Sequence, residues 1–155
     1  MAISYPDVRR PNHHEVVLQM LIGEQGIFET MRDALVFCSA LGYSRGRREE
    51  FSPNPNAIAW STMAANQLFE QLLLMITAST SRDTPEQLGD GAIRERVKAF
   101  EEYACGGLSV IAEEIGRGLN AENAVLALLG KEISEMNNDG FKPFEGGAKA
   151  FDPFV

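Results

Sequence analysis

Residues 27–51 read IFETMRDALVFCSALGYSRGRREEF, and the reading of this stretch decides the fold. Ile27, Met31, Ala34, Cys38 and Leu41 recur at helical spacing, with Phe28 and Leu35 beside them. The run Ala34-Leu35-Val36-Phe37-Cys38 is apolar on every side, which predicts a helix buried by several neighbours. Glu29 and Asp33 sit near its start, where acids favour a helix N-terminus. Gly42 is the expected stop, since glycine adopts the left-handed conformation that ends helices. Beyond it lie Arg45, Arg47 and Arg48, the densest basic cluster in the chain, predicted to form a shaped loop or short extension.

Two readings of that cluster stand side by side. Three planar guanidinium forks suit phosphate or carboxylate groups. Glu49 and Glu50 follow at once and suit internal neutralisation instead, the ordinary fate of a charge run.

Working outward, the chain of 155 residues has the length of one domain and is able to bury a core without disulfides. Its formal net charge of −8 excludes general coating of nucleic acid. Through Trp60 there are six basic residues against seven acids, and after it eight against fifteen. A phosphate-binding face therefore belongs in the first part, where Arg9 and Arg10 join the three central arginines. Cys38 and Cys105 sit in apolar helical context with no metal or disulfide spacing. With an N-terminus unlike a signal peptide, they predict a reducing, cytoplasmic setting. No apolar run is long enough to span a bilayer, so no membrane contact is expected.

Asn12 and Glu15 form a capping-box pattern ahead of a helix through Ile22. His13 and His14 are adjacent and are expected to diverge, with no third ligand near them in sequence. No metal or other cofactor is expected. A long helix follows the break SPNPN at residues 52–56, from about Ala57 to Ala78. Trp60 is expected to pack its start onto a neighbour. Thr84-Pro85-Glu86-Gln87 signals a short helix.

The next helix runs from about Ala92 to Gly116 on the stripe Ile93, Val97, Phe100, Ala104, Leu108 and Ile111. Its charges, among them Arg96, Glu101 and Glu102, are expected on a solvated face. Gly106-Gly107 in its middle costs about 2 kcal/mol relative to alanine, which predicts close approach of another helix or a kink facing a ligand. Cys105 is expected to be a small buried residue, since no base is identified for it. Asn120 caps a last helix ending near Gly130 or Met136. Residues 137–155 form a Gly/Phe-rich tail with Phe151 and Phe154, distinct from the helical domain of residues 1–136. No strand pattern is present. The expected fold is all-α, a compact bundle of about five or six helices. No phosphate loop, dinucleotide fingerprint or nucleophile elbow occurs, so enzymatic activity is not expected.

VRRPNHHE (residues 8–15), the central block (27–51), IAW (58–60) and FEEYACGGLSVI (100–111) together resemble the DNA phosphorothioation-associated protein 4 family, also called dnd system-associated protein 4. The resemblance spans roughly residues 5–130. It implies an accessory protein of a bacterial system that places sulfur in the DNA backbone, coupled to restriction of foreign DNA. It brings no catalytic residues. In that setting two kinds of partner are implied. DNA would meet Arg45, Arg47, Arg48, Arg9 and Arg10 as backbone contacts. Another protein of the system would meet Gly106, Gly107, Phe151 and Phe154. The alternative reading is a helical protein–protein adaptor, as a homodimer or with another partner, that makes no nucleic-acid contact.

Overall fold

The computed structural model describes residues 4–24, 26–80 and 89–138. These form six α-helices: α1 (Glu15–Leu21), α2 (Met31–Ser44), α3 (Trp60–Ala64), α4 (Phe69–Thr80), α5 (Ile93–Gly116) and α6 (Ala121–Asn138). The expected helix start at Thr84–Gln87 and the tail phenylalanines lie outside the described residues.

The α2–α5 pair is the centre of the bundle. Thr30 caps α2, its hydroxyl accepting from the Asp33 amide at 3.2 Å. The helix then buries Leu35, Cys38 and Leu41 against the length of α5, which is buried almost continuously from Val97 to Ile111. The two backbones approach through glycine. A Cβ on Gly107 would overlap the Cys38 carbonyl, one on Gly106 the Arg47 carbonyl, and one on Gly42 the Tyr103 carbonyl. Close approach of a neighbouring helix is what offsets the helix cost of Gly106-Gly107. Gly42 is accordingly not the helix stop. It lies inside α2, buried, and the chain turns at Gly46, whose φ is +65°. Ser39 fastens the pair by donating to the Phe100 carbonyl at 3.0 Å in the core.

Helix α4 covers one side of α5 with Phe69, Leu73 and Ile76. The long helix expected from Ala57 to Ala78 is broken into α3 and α4 at Asn66. The Asn66 side-chain Oδ1 accepts from the Leu68 amide at 2.9 Å, a local bond that competes with helix, and its side-chain amide Nδ2 donates to Asp33 at 2.9 Å. That amide is the main reason the Asp33 carboxyl lies below its ordinary range. Trp60 packs as expected. It stacks on Tyr5 at 4.8 Å and meets Phe69 edge-on at 5.0 Å, and Phe69 meets Phe100 in turn at 5.1 Å.

Helices α1 and α6 pack on each other and on α5. Asn120 caps α6 by accepting from the Asn123 amide at 2.8 Å, and the helix runs through Gly130 without a break. The capping box expected at α1 does not form. Asn12 instead opens a 3-10 turn (Asn12–His14), and Glu15 is drawn away by Arg10. The segment before this turn lies antiparallel to residues 52–58, held by reciprocal amide bonds between Val8 and Ile58 of 2.7 and 2.8 Å. Among the described residues these are isolated bridges and not a sheet, so the architecture is the all-α bundle expected. None of the described helices is long and apolar enough to cross a membrane.

Candidate functional site

Each of the five arginines proposed for phosphate contact is tied to a carboxylate, four of them to α5 or α6 and Arg10 to Glu15 of α1. Arg9 grips Glu101 through its Nε, its Nη2 (3.0 Å) and its own backbone amide. Arg10 holds Glu15 at 2.8 Å and the Asn56 carbonyl at 2.6 Å. Arg45 reaches Glu132 on α6. Arg47 spans Glu113 at 2.8 Å and Glu49 at 3.0 Å, and Arg48 forks onto Glu102 at 2.9 and 3.0 Å. Arg9 also lies over the Phe51 ring and Arg48 over the Tyr103 ring, both within cation–π range.

The internal neutralisation read from Glu49 and Glu50 is thus real for Glu49, but most of the acids come from α5 and α6. Glu101 and Glu102, expected on a solvated face, are buried and serve as these anchors. Burial is the main influence on Glu101 and raises its carboxyl above the ordinary range, with Arg9 pulling it down. The ion pairs fasten Arg9 to α5, Arg10 to α1 and the α2 exit to α5 and α6, and of the five arginines Arg9 and Arg48 are more exposed than their partners.

Beside Arg47 lies a second polar group that sequence reasoning missed. His14 Nε2 is 2.9 Å from Ser109 Oγ, and Ser109 donates to Glu49 at 2.7 Å. Cys105 Sγ, one turn earlier on α5, is 4.0 Å from His13 Nε2. The adjacent histidines do not diverge as expected. The tight 3-10 turn keeps their ring centroids 4.0 Å apart, and both face the same stretch of α5. A base therefore does stand near Cys105. The thiol is nonetheless pushed up to about 11, first by burial and then by Glu49 and Glu102. At neutral pH it is protonated and a poor nucleophile. Burial is the main cause that lowers His14 below its ordinary range, with the neighbouring His13 adding to it. The available signal was that three of the blocks quoted above each carry one part of this group. The sequence did not say that they meet.

Gly106 and Gly107, proposed as a partner contact, are buried within the chain itself, Gly107 against the α2 backbone at Cys38 and Gly106 against the backbone at Arg47. Phe151 and Phe154 lie outside the described residues.

The exposed apolar surface lies elsewhere. On α6, Leu126, Leu129, Ile133 and Met136 are 40–62% exposed and follow one another at steps of three, four and three residues. That spacing aligns them in one ridge along the helix. A separate apolar groove of about 210 Å³ lies between α2 and α4, lined by Val36, Ala40, Leu68, Leu72 and Met75. It is below the size of an ordinary small-molecule site.

A model of one protein family, described as DNA sulphur modification system-associated protein 4, matches residues 7–143. No curated protein matches the chain, and no solved structure does. The matched span takes in all six helices, the arginine pairs, the His-Cys-Ser group and the α6 ridge. The chain belongs to the DNA sulphur modification system-associated protein 4 family.

Proposed function

We propose that this chain is a non-catalytic accessory subunit of a DNA sulphur modification system, and that it docks another protein of that system on the outer face of α6. The observation that carries the reading is the exposed ridge Leu126, Leu129, Ile133 and Met136. Four large apolar side chains at alternating steps of three and four make the seam by which one helix packs against another. Core positions on the inner face of α6, Ala124, Val125 and Leu128, already hold the helix to its own bundle. The ridge is therefore a second, outward-facing stripe. The family description supplies the class of partner, a component of the same system.

Leu129→Asp with Ile133→Asp tests the ridge. Both positions are exposed, so the variant is expected to fold as the parent does. Mixed with the purified proteins of the system one at a time, the parent is expected to form a complex on size exclusion that survives high salt. The variant is expected to lose it by roughly a hundredfold or more in affinity, since buried hot-spot side chains are worth about 2 kcal/mol or more each. A complex unaffected by the two aspartates contradicts the reading, as does a concentration-dependent dimer of the chain with no heterocomplex.

A second reading, contact with the DNA backbone, rests on Arg9 and Arg48. Their side chains remain 48% and 42% exposed despite their ion pairs. Phosphate would have to compete with carboxylates already in place, and the described arginine face carries no surplus of positive charge. The protein partner is the better-supported reading.

A further inference from the structure

We propose that His13, His14 and Cys105 form a binding site for one divalent transition-metal ion of the zinc class, with a fourth coordination position left open. Nothing in the family description assigns such a site.

The geometry comes first. One donor atom from each of the three residues lies within 4.8 Å of the others, and the His13–Cys105 edge is 4.0 Å. A tetrahedral zinc site with the usual bond lengths has ligand atoms about 3.5 Å apart. The three donors therefore need to close by about 1.3 Å at most. His13 is exposed and is the ring able to make that movement. Two nitrogens and a sulfur select zinc or cobalt and disfavour magnesium and calcium, which take oxygen donors.

The surroundings orient the donors. Ser109 has one hydroxyl proton and gives it to Glu49. Toward His14 Nε2 it is then an acceptor, so Nε2 carries the proton and Nδ1 keeps its lone pair. A histidine that donates through one ring nitrogen to a fixed acceptor and offers the other to a metal is the usual arrangement around a bound ion. Without a cation, Cys105 is a buried free cysteine. A dication deprotonates a coordinating thiol and binds the thiolate. Loading the site releases the Cys105 proton to solvent and makes one sulfur–metal and two nitrogen–metal bonds, with no change of oxidation state. His13 also lines a shallow groove with Asn12, Glu50, Phe51 and Ser52, which gives an ion a route to the site.

The test uses the full chain, stripped with chelator and titrated with Zn²⁺ or Co²⁺. One ion per chain is expected. The cobalt form is expected to show tetrahedral ligand-field bands and a thiolate-to-cobalt charge-transfer band. Cys105→Ser is expected to remove the charge-transfer band, and Cys38→Ala to keep it. His13→Ala is expected to weaken binding tenfold or more, and Ser109→Ala by 10–100-fold, as for other groups that orient ligands. Circular dichroism checks the fold of each variant. Should Cys105→Ser not fold, His13→Ala at its exposed position decides. Failure of the parent to take up an ion, a charge-transfer band that survives in Cys105→Ser, or unchanged affinity in His13→Ala overturns the proposal.

Discussion

Gly107→Ala is expected to destabilise the chain by about 3 kcal/mol or more, although alanine is the better helix former by about 1 kcal/mol. The added methyl would overlap the Cys38 carbonyl, and a backbone atom in the middle of α2 has no rotamer by which to give way. Relief requires α2 and α5 to separate along their length. That would loosen the Ser39–Phe100 bond and the apolar contacts on both sides. Gly130→Ala in α6 is the matched control. Nothing lies within 4 Å of its Cβ position, so the ordinary propensity gain of about 0.5–1 kcal/mol is expected. Urea unfolding of the two variants should give opposite signs. Equal and favourable effects would mean that the helices are not in contact at Gly107.

Arg9→Ala is expected to cost about 2–3 kcal/mol at neutral pH, far more than an exposed arginine ordinarily contributes. The reason lies in its partner. Glu101 is 2% exposed, and without the guanidinium its charge keeps only the Arg9 backbone amide. The pH dependence follows from the same geometry. Burial already raises the Glu101 carboxyl, and removing Arg9 takes away the pull in the other direction. The folded state of the variant then holds a proton that the unfolded chain, at about 4.3, releases. Stability falls as pH rises through that window and returns on acidification. The gap between variant and parent in urea midpoint should therefore narrow between about pH 7 and about pH 5. A gap independent of pH would mean that Glu101 carries no buried charge.

The centre of the fold was legible in the sequence because it rests on spacing. The α2 and α5 stripes and the cost of two adjacent mid-helix glycines point to close helix contact from the sequence alone. Gly42 was misread because glycine serves both as a helix stop and as a point of close packing, and only the neighbour at Tyr103 distinguishes them. The break at Asn66 was hidden because one polar residue in an apolar helical pattern is unremarkable until its side chain finds Asp33.

The candidate sites were less legible, and for one physical reason. Glu101 and Glu102 stand four residues or fewer from basic neighbours on α5, the local pattern of a solvated face, whereas their partners Arg9 and Arg48 lie 92 and 54 residues away. The same holds for His13 and Cys105, separated by 92 residues. Local spacing carries no trace of such meetings. The α6 ridge could not be told from core by spacing either, because inward and outward stripes alternate on one helix.

The most direct test of the account is titration of the chain with a short DNA duplex, plain and sulfur-modified, across a salt series. If the five arginines are fasteners, no complex should form at about 150 mM salt, where exposed charges are screened beyond about 8 Å. Any binding at lower salt should be the same for the parent and for Arg47→Ala/Arg48→Ala. A complex whose affinity falls with a log–log slope of about −3, and which that double variant weakens, would contradict the account and make the arginine face a DNA surface.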